Sequence, residues 1–123
     1  MAAKREQDFF WAGVDRGEFL AQKCLGCSAL RHPPSPMCAA CGSPKWEPQR
    51  LSGRGTIHTW VVSRHPSEPD PEPQLVVLVD LEEGLRFVSN LMDPQNAGLG
   101  VPVVLEFGVV KGRRLPLFRT ARA

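Results

Sequence analysis

The chain opens on an apolar cluster set among polar residues. Glu6 to Arg16 reads as a short helix in which Phe9, Phe10, Trp11 and Val14 give one strongly apolar side, and Gly17 can end it. Glu18 to Cys24 and Lys45 to Leu51 read as strands, with Ala29 to His32 as a third between them. Further on, the pattern alternates with period two. Ser52 to Ser63 puts Ile57, Thr59 and Val61 on one face and His58, Trp60 and Val62 on the other, and Gly53 and Gly55 permit a bend at its start. Ser67 to Gln74 is an acidic proline loop. Leu75 to Leu81 and Leu85 to Leu91 read as a hairpin turning at Glu82-Glu83-Gly84, and Asp93-Pro94 starts one helical turn ending near Gly98. Val103 to Val110 and Leu115 to Thr120 read as a second hairpin, turning at Lys111-Gly112-Arg113-Arg114. Five antiparallel strands, the first long and bendable, with a helical turn between the third and fourth, predict a small OB-type barrel; Pro116 places its last strand at an edge or opening.

Composition narrows the class. At 123 residues, with 42% apolar and 23% charged residues, the chain has the balance of a folded domain or of two small modules sharing a core, not of a disordered segment. The longest apolar run, Leu75 to Val79, is far short of a membrane span, and Met-Ala-Ala-Lys-Arg-Glu-Gln-Asp at the N-terminus has no apolar segment for a secretory signal. The expectation is a cytoplasmic protein. The formal charge of +2 hides an asymmetry: seven acids and one base lie between Pro66 and Asn96, and five bases and no acid follow Phe107. Such an arrangement steers an anionic ligand or partner, or simply makes two solvated faces.

The four cysteines change the picture most. Cys24-Leu25-Gly26-Cys27 and Cys38-Ala39-Ala40-Cys41 are two C-x2-C pairs that use every cysteine in the chain. Two thiolates three positions apart on a tight turn face one ion, and two such turns supply the four sulfurs of a closed structural Zn²⁺ site. A disulfide framework would need an oxidising compartment, and a redox-active pair would not need a second, equivalent one. Iron suits the same four-sulfur shell and stays open. With the flanking strands the pairs make a three-stranded zinc ribbon, so the expected organisation is an N-terminal helix over 1–17, a ribbon over 18–51 and the barrel over 52–123, mainly β throughout. The ribbon alone is too small for a self-sufficient core, and the metal supplies what it lacks.

An ordered set of short motifs now resembles a known family. These are the Phe10-Trp11 helix, Gly17-Glu18 leading into the first cysteine pair, and Pro33-Pro34 ahead of Cys38-x2-Cys41-Gly42-Ser43. Ser52-Gly53-Arg54-Gly55-Thr56, the Val79-Asp80-Leu81-Glu82-Glu83-Gly84 turn, Gly100-Val101-Pro102-Val103 and Leu115-Pro116-Leu117-Phe118 follow. Together they resemble the bacterial and archaeal acyl-CoA-associated proteins that join a rubredoxin-like zinc ribbon to an OB-fold, long catalogued as a domain of unknown function. Two positions depart from the pattern: Ser28 stands where a glycine commonly follows the first cysteine pair, and Ser35 where an arginine often follows the proline pair. The resemblance implies a non-catalytic accessory subunit in a hetero-oligomer. Its partners would be thiolase-fold enzymes (thiolase, hydroxymethylglutaryl-CoA synthase, or the sterol-carrier-type thiolases that act as aldolases in steroid side-chain breakdown) or an enoyl-CoA hydratase. Its implied contribution is to help complete a channel for the CoA ester at a shared interface.

The residue inventory agrees with such a role. With Cys24, Cys27, Cys38 and Cys41 committed to metal, no thiol nucleophile remains, and His32, His58 and His65 form no visible triad with serine and acid. Arg64 and His65 at the mouth of the proline loop, and Lys111, Arg113 and Arg114 in the basic hairpin, are the candidate contacts for CoA phosphates. Phe9, Phe10 and Trp11 are candidates either for the chain's own core or for a partner anchor. The alternative is a single-stranded nucleic-acid binder, since OB-folds and ribbons both serve that purpose. It is disfavoured because Leu75 to Leu81 has no aromatic residue and Leu85 to Leu91 offers only Phe87 for stacking.

Overall fold

The structure, a computed structural model, describes residues 7–63 and 74–121. The acidic proline loop, with Arg64 and His65, therefore lies outside the described residues save for Gln74. Helix α1 (Asp8–Asp15) buries Phe10, Gly13 and Val14. It stops because Gly17 turns left-handed at φ 78°. The Gly17 N–H then donates to the Val14 carbonyl at 3.0 Å and the Glu18 N–H to the Gly13 carbonyl at 2.7 Å, closing the last turn.

Strands β1 (Leu20–Cys24), β2 (Leu30–Arg31) and β3 (Trp46–Arg50) form an antiparallel sheet in the order β2-β1-β3. A second sheet holds β4 (Arg54–Ser63), β5 (Gln74–Leu81), β6 (Arg86–Asn90), β7 (Pro102–Val110) and β8 (Arg113–Thr120) in the order β6-β5-β4-β7-β8. It curls until its outer strands meet. Leu91 bridges Phe118 in parallel, the Met92 N–H donates to the Phe118 carbonyl at 2.7 Å, and the Ser89 hydroxyl donates to the carbonyl of Pro116. The near-closed five-stranded sheet is the expected OB barrel, and Pro116 sits in the edge strand at that seam, where a missing N–H breaks no ladder. A 3₁₀ turn at Pro94–Asn96 bridges β6 and β7. Asp93 fastens it to β8 by accepting from the Thr120 N–H at 3.0 Å and from the Thr120 hydroxyl. No helix among the described residues is long and apolar enough to cross a membrane.

One apolar core runs through all three parts. Phe10 and Val14 of α1, Phe19, Ala21 and Leu51 of the ribbon, and Ile57, Val77, Val79, Leu81, Phe87, Val103 and Phe118 of the barrel belong to a single cluster. Where β4 meets β5 the backbones approach so closely that only a residue without a side chain fits: a Cβ on Gly55 would lie 2.3 Å from the Asp80 carbonyl oxygen.

Two expectations need correction. The alternation read for Ser52 to Ser63 breaks at His58. Ile57 pairs Val79 while Thr59 pairs Leu78, so His58 is an extra residue in the strand. That bulge moves Trp60, not Thr59, to the side of Ile57, and Trp60 packs on the core while Val61 is exposed. The second hairpin turns on two residues, not four. Val110 pairs Arg113, and Lys111 and Gly112 take left-handed φ values of 51° and 78°, the paired positive angles that match strand twist. Arg113 and Arg114 therefore belong to β8.

Candidate metal centre and adjoining cleft

The first cysteine pair sits where β1 ends. Cys24 is its last residue, the chain reverses through Leu25 and Gly26, and the Ser28 N–H donates back to the Cys24 carbonyl at 2.9 Å. The second pair repeats this turn, with the Gly42 N–H donating to the Cys38 carbonyl at 2.8 Å. The Leu25 N–H donates to the Lys45 carbonyl at 3.0 Å, tying the two turns together. As a result, the four sulfurs lie within 4.8 Å of one another, with Cys24 and Cys41 3.5 Å apart and Cys27 and Cys38 3.6 Å apart. A tetrahedral Zn²⁺ with bonds of about 2.3 Å asks for sulfurs about 3.8 Å apart, so the cage fits the ion that the donor set suggests. Cys24 and Cys38 are buried; Cys27 and Cys41 face outward.

Backbone N–H groups aim at the sulfurs. Gly26 donates to Cys24 Sγ at 3.3 Å. The Cys41 and Ala40 N–H groups pull the Cys38 thiol down to about 6, and the Cys27 N–H, helped by that of Gly26, lowers Cys24. Cys41 behaves oppositely. The Ser43 N–H lowers it, but the neighbouring sulfurs of Cys24 and Cys27 prevail, and its thiol is pushed up to about 12. The turns thus favour thiolates individually while the thiolates repel one another. A divalent ion held by the four sulfurs would remove that conflict, and a shell of four sulfurs would leave it no open position for a substrate.

Beside the ribbon, α1, the loop after β2 and the seam strands enclose a cleft of about 600 Å³, lined by Phe10, Trp11, His32, Pro33, Val88 and Leu117 among others. His32 lies between Phe87, with ring centres 4.7 Å apart, and Phe10 at 5.8 Å. Burial lowers its pKa, which keeps the imidazole neutral. The aromatic cluster of the helix is divided. Phe10 is buried in the core, Phe9 packs on Trp46 at 4.6 Å, and Trp11 is half-buried beneath Arg113, whose guanidinium carbon is 4.6 Å from the ring centre. Arg114 also reaches the helix, donating to the Asp15 carbonyl at 3.0 Å. Lys111 stands exposed at the hairpin tip. The structure thus brings Arg113 and Arg114 to Trp11 and Asp15, and leaves Lys111 apart from them.

A surface network escaped the sequence reading. Asp80 accepts from Arg86 at 2.8 Å and contacts His58 Nδ1 at 3.1 Å, and the hydrogen bond from Arg86 holds its carboxyl below the usual range. Half of it was available in principle, because the predicted hairpin sets Asp80 opposite Arg86. The His58 contact depends on the bulge and was not.

Fold and site together define a zinc-ribbon and OB-fold protein. Residues 11–47 match the rubredoxin-like zinc ribbon domain of ChsH2, and residues 48–108 match the C-terminal OB-fold domain of ChsH2. The chain belongs to this ChsH2/DUF35 family. It is 37% identical over 124 residues to a probable enoyl-CoA hydratase alpha subunit of Thermomonospora curvata, covering 98% of this chain but only 39% of that protein. A DUF35 domain-containing scaffold protein of Methanothermobacter thermautotrophicus is 33% identical over 101 residues, 78% of this chain and 76% of its own length. Among solved structures, a chain of the complex described as Ltp2-ChsH2(DUF35) aldolase superposes with a TM-score of 0.85 at 36% identity, with 98% of each chain covered.

Proposed function

We propose that this chain is a non-catalytic accessory subunit of an acyl-CoA-processing complex, partnered by a thiolase-fold enzyme of the aldolase or thiolase type. The observation that carries the reading is the cage: all four cysteines converge on one closed site, so thiol chemistry on a CoA ester has to come from another chain. The likeness to the ChsH2(DUF35) chain of an aldolase complex supports the choice of partner, and the scaffold and hydratase-subunit names of other relatives support assembly with other chains. The cage holds Zn²⁺ as a structural ion through Cys24, Cys27, Cys38 and Cys41. In this reading Arg64, His65 and Lys111 contact the CoA phosphates at the shared interface. Arg113 and Arg114 add positive charge to that contact while also fixing the helix, and the exposed parts of Phe9 and Trp11 meet the partner.

Co-expression tests the reading. A thiolase-like chain encoded nearby should co-purify with this one at a fixed ratio and lose activity or solubility when expressed alone. A partner chain fully active by itself, or a pure single chain of this protein turning over a CoA ester, would refute it.

A further inference from the structure

We infer that Arg31 is the built-in counter-charge of the metal cage, set beside the second cysteine turn to offset the net negative charge of four thiolates around a divalent ion. The inference rests on a metal-loaded cage, the premise it shares with the proposed function. Arg31 lies in β2, directly opposite Gln22 of β1. Side chains alternate along a strand, so Gln22 and Cys24, two positions apart, share a face, and Arg31 shares it with them. Its Nη1 reaches the Ser43 carbonyl at 3.5 Å. Ser43 follows the second turn, and its carbonyl accepts from the Cys38 N–H at 2.9 Å. The guanidinium is therefore one residue removed from the ligand Cys38.

What marks it out is what it lacks. Its Nε and Nη2 are buried without a hydrogen-bond partner, and Arg31 takes part in no ion pair among the described residues. Gln22, fully buried across from it, has its Oε1 bonded to the Ser35 N–H at 2.8 Å and its Nε2 unpaired. The unpaired side-chain polar atoms buried in the ribbon are thus donors, on two residues facing each other on the side of the sheet that carries Cys24. A permanent cation with two of its nitrogens buried is stabilised by an anion nearby, and no carboxylate of the described residues pairs with it. Four thiolates on Zn²⁺ carry two net negative charges, and donors around such a shell tune how tightly it holds its ion.

Arg31→Lys and Arg31→Met separate charge from packing, with zinc affinity read by chelator competition and the cobalt-loaded protein by its thiolate-to-metal absorption bands. Arg31→Met should bind zinc about 10- to 100-fold more weakly and shift the cobalt bands to longer wavelength, because thiolates without their counter-charge give up electron density more easily. Arg31→Lys should stay within a few-fold of the original on both measures. A methionine variant that takes up no metal beside a lysine variant that does would support the same conclusion. Equal losses in both variants, failure of both to load, or no loss in either would overturn it. An original chain that binds no metal would overturn this inference and the cage argument for the proposed function together, whereas equal losses in the two variants overturn this inference alone.

Discussion

Ser28 holds a left-handed backbone, φ 67°, immediately after the first cysteine turn. A residue with a Cβ adopts that conformation at a cost of about 1–2 kcal/mol, partly offset because glycine is freer when unfolded. Ser28→Gly should therefore raise the stability of the zinc-loaded protein by about 0.5–1 kcal/mol in urea unfolding; an unchanged midpoint would count against the strain. His32 makes the second residue-level prediction. Its pKa in the folded chain lies below the ordinary 6.5, so on acidification the unfolded chain takes up the proton first. Its contribution is complete above that value and declines as pH falls below it. Between about pH 7.5 and about pH 5.5, the original should lose more stability than His32→Gln, both saturated with metal. The cysteines were legible because their chemistry lies in local spacing. The surroundings of His32 were not, since they are built from residues as distant as Phe10 and Phe87.

At the scale of elements, the helix, the ribbon strands and both hairpins were readable from period and turn residues. The failures have definite causes. A bulge adds one residue and reverses every side chain after it, so the faces of β4 beyond His58 could not be assigned by alternation alone. The basic hairpin looked longer because arginines resemble turn residues by charge, whereas a two-residue turn is set by backbone angles at Lys111 and Gly112. Crowding at the start of β4 predicts that Gly55→Ala, which drives a methyl into the backbone of β5, destabilises the protein by about 1–3 kcal/mol in chemical unfolding. The docking of α1 on β8 is testable too. A double-mutant cycle of Trp11→Ala and Arg113→Ala should give a coupling of about 0.5–1 kcal/mol, and additive single effects would deny the ring-to-guanidinium contact any energetic weight.

For the whole molecule the decisive fact is that ribbon and barrel share their apolar interior. Stripping the metal should not leave a folded barrel with a loose ribbon. Chelation, or Cys38→Ser, removes the support for Phe19, Ala21 and Leu51, and these pack in the same cluster as Val79 and Phe118. Probes of the ribbon and of the barrel, such as near-ultraviolet circular dichroism and barrel amide exchange, should then report one common unfolding transition. A barrel that keeps its protection after metal loss would show two independent units instead.

The common interior also bears on how such a unit travels between genes. A recombination crossover placed between ribbon and barrel would strand Phe10, Val14, Phe19 and Leu51 on one fragment and Ile57, Phe87 and Phe118 on the other, each bared to water. Fusions that work should therefore carry helix, ribbon and barrel as one indivisible cassette, with their joints outside residues 7–121.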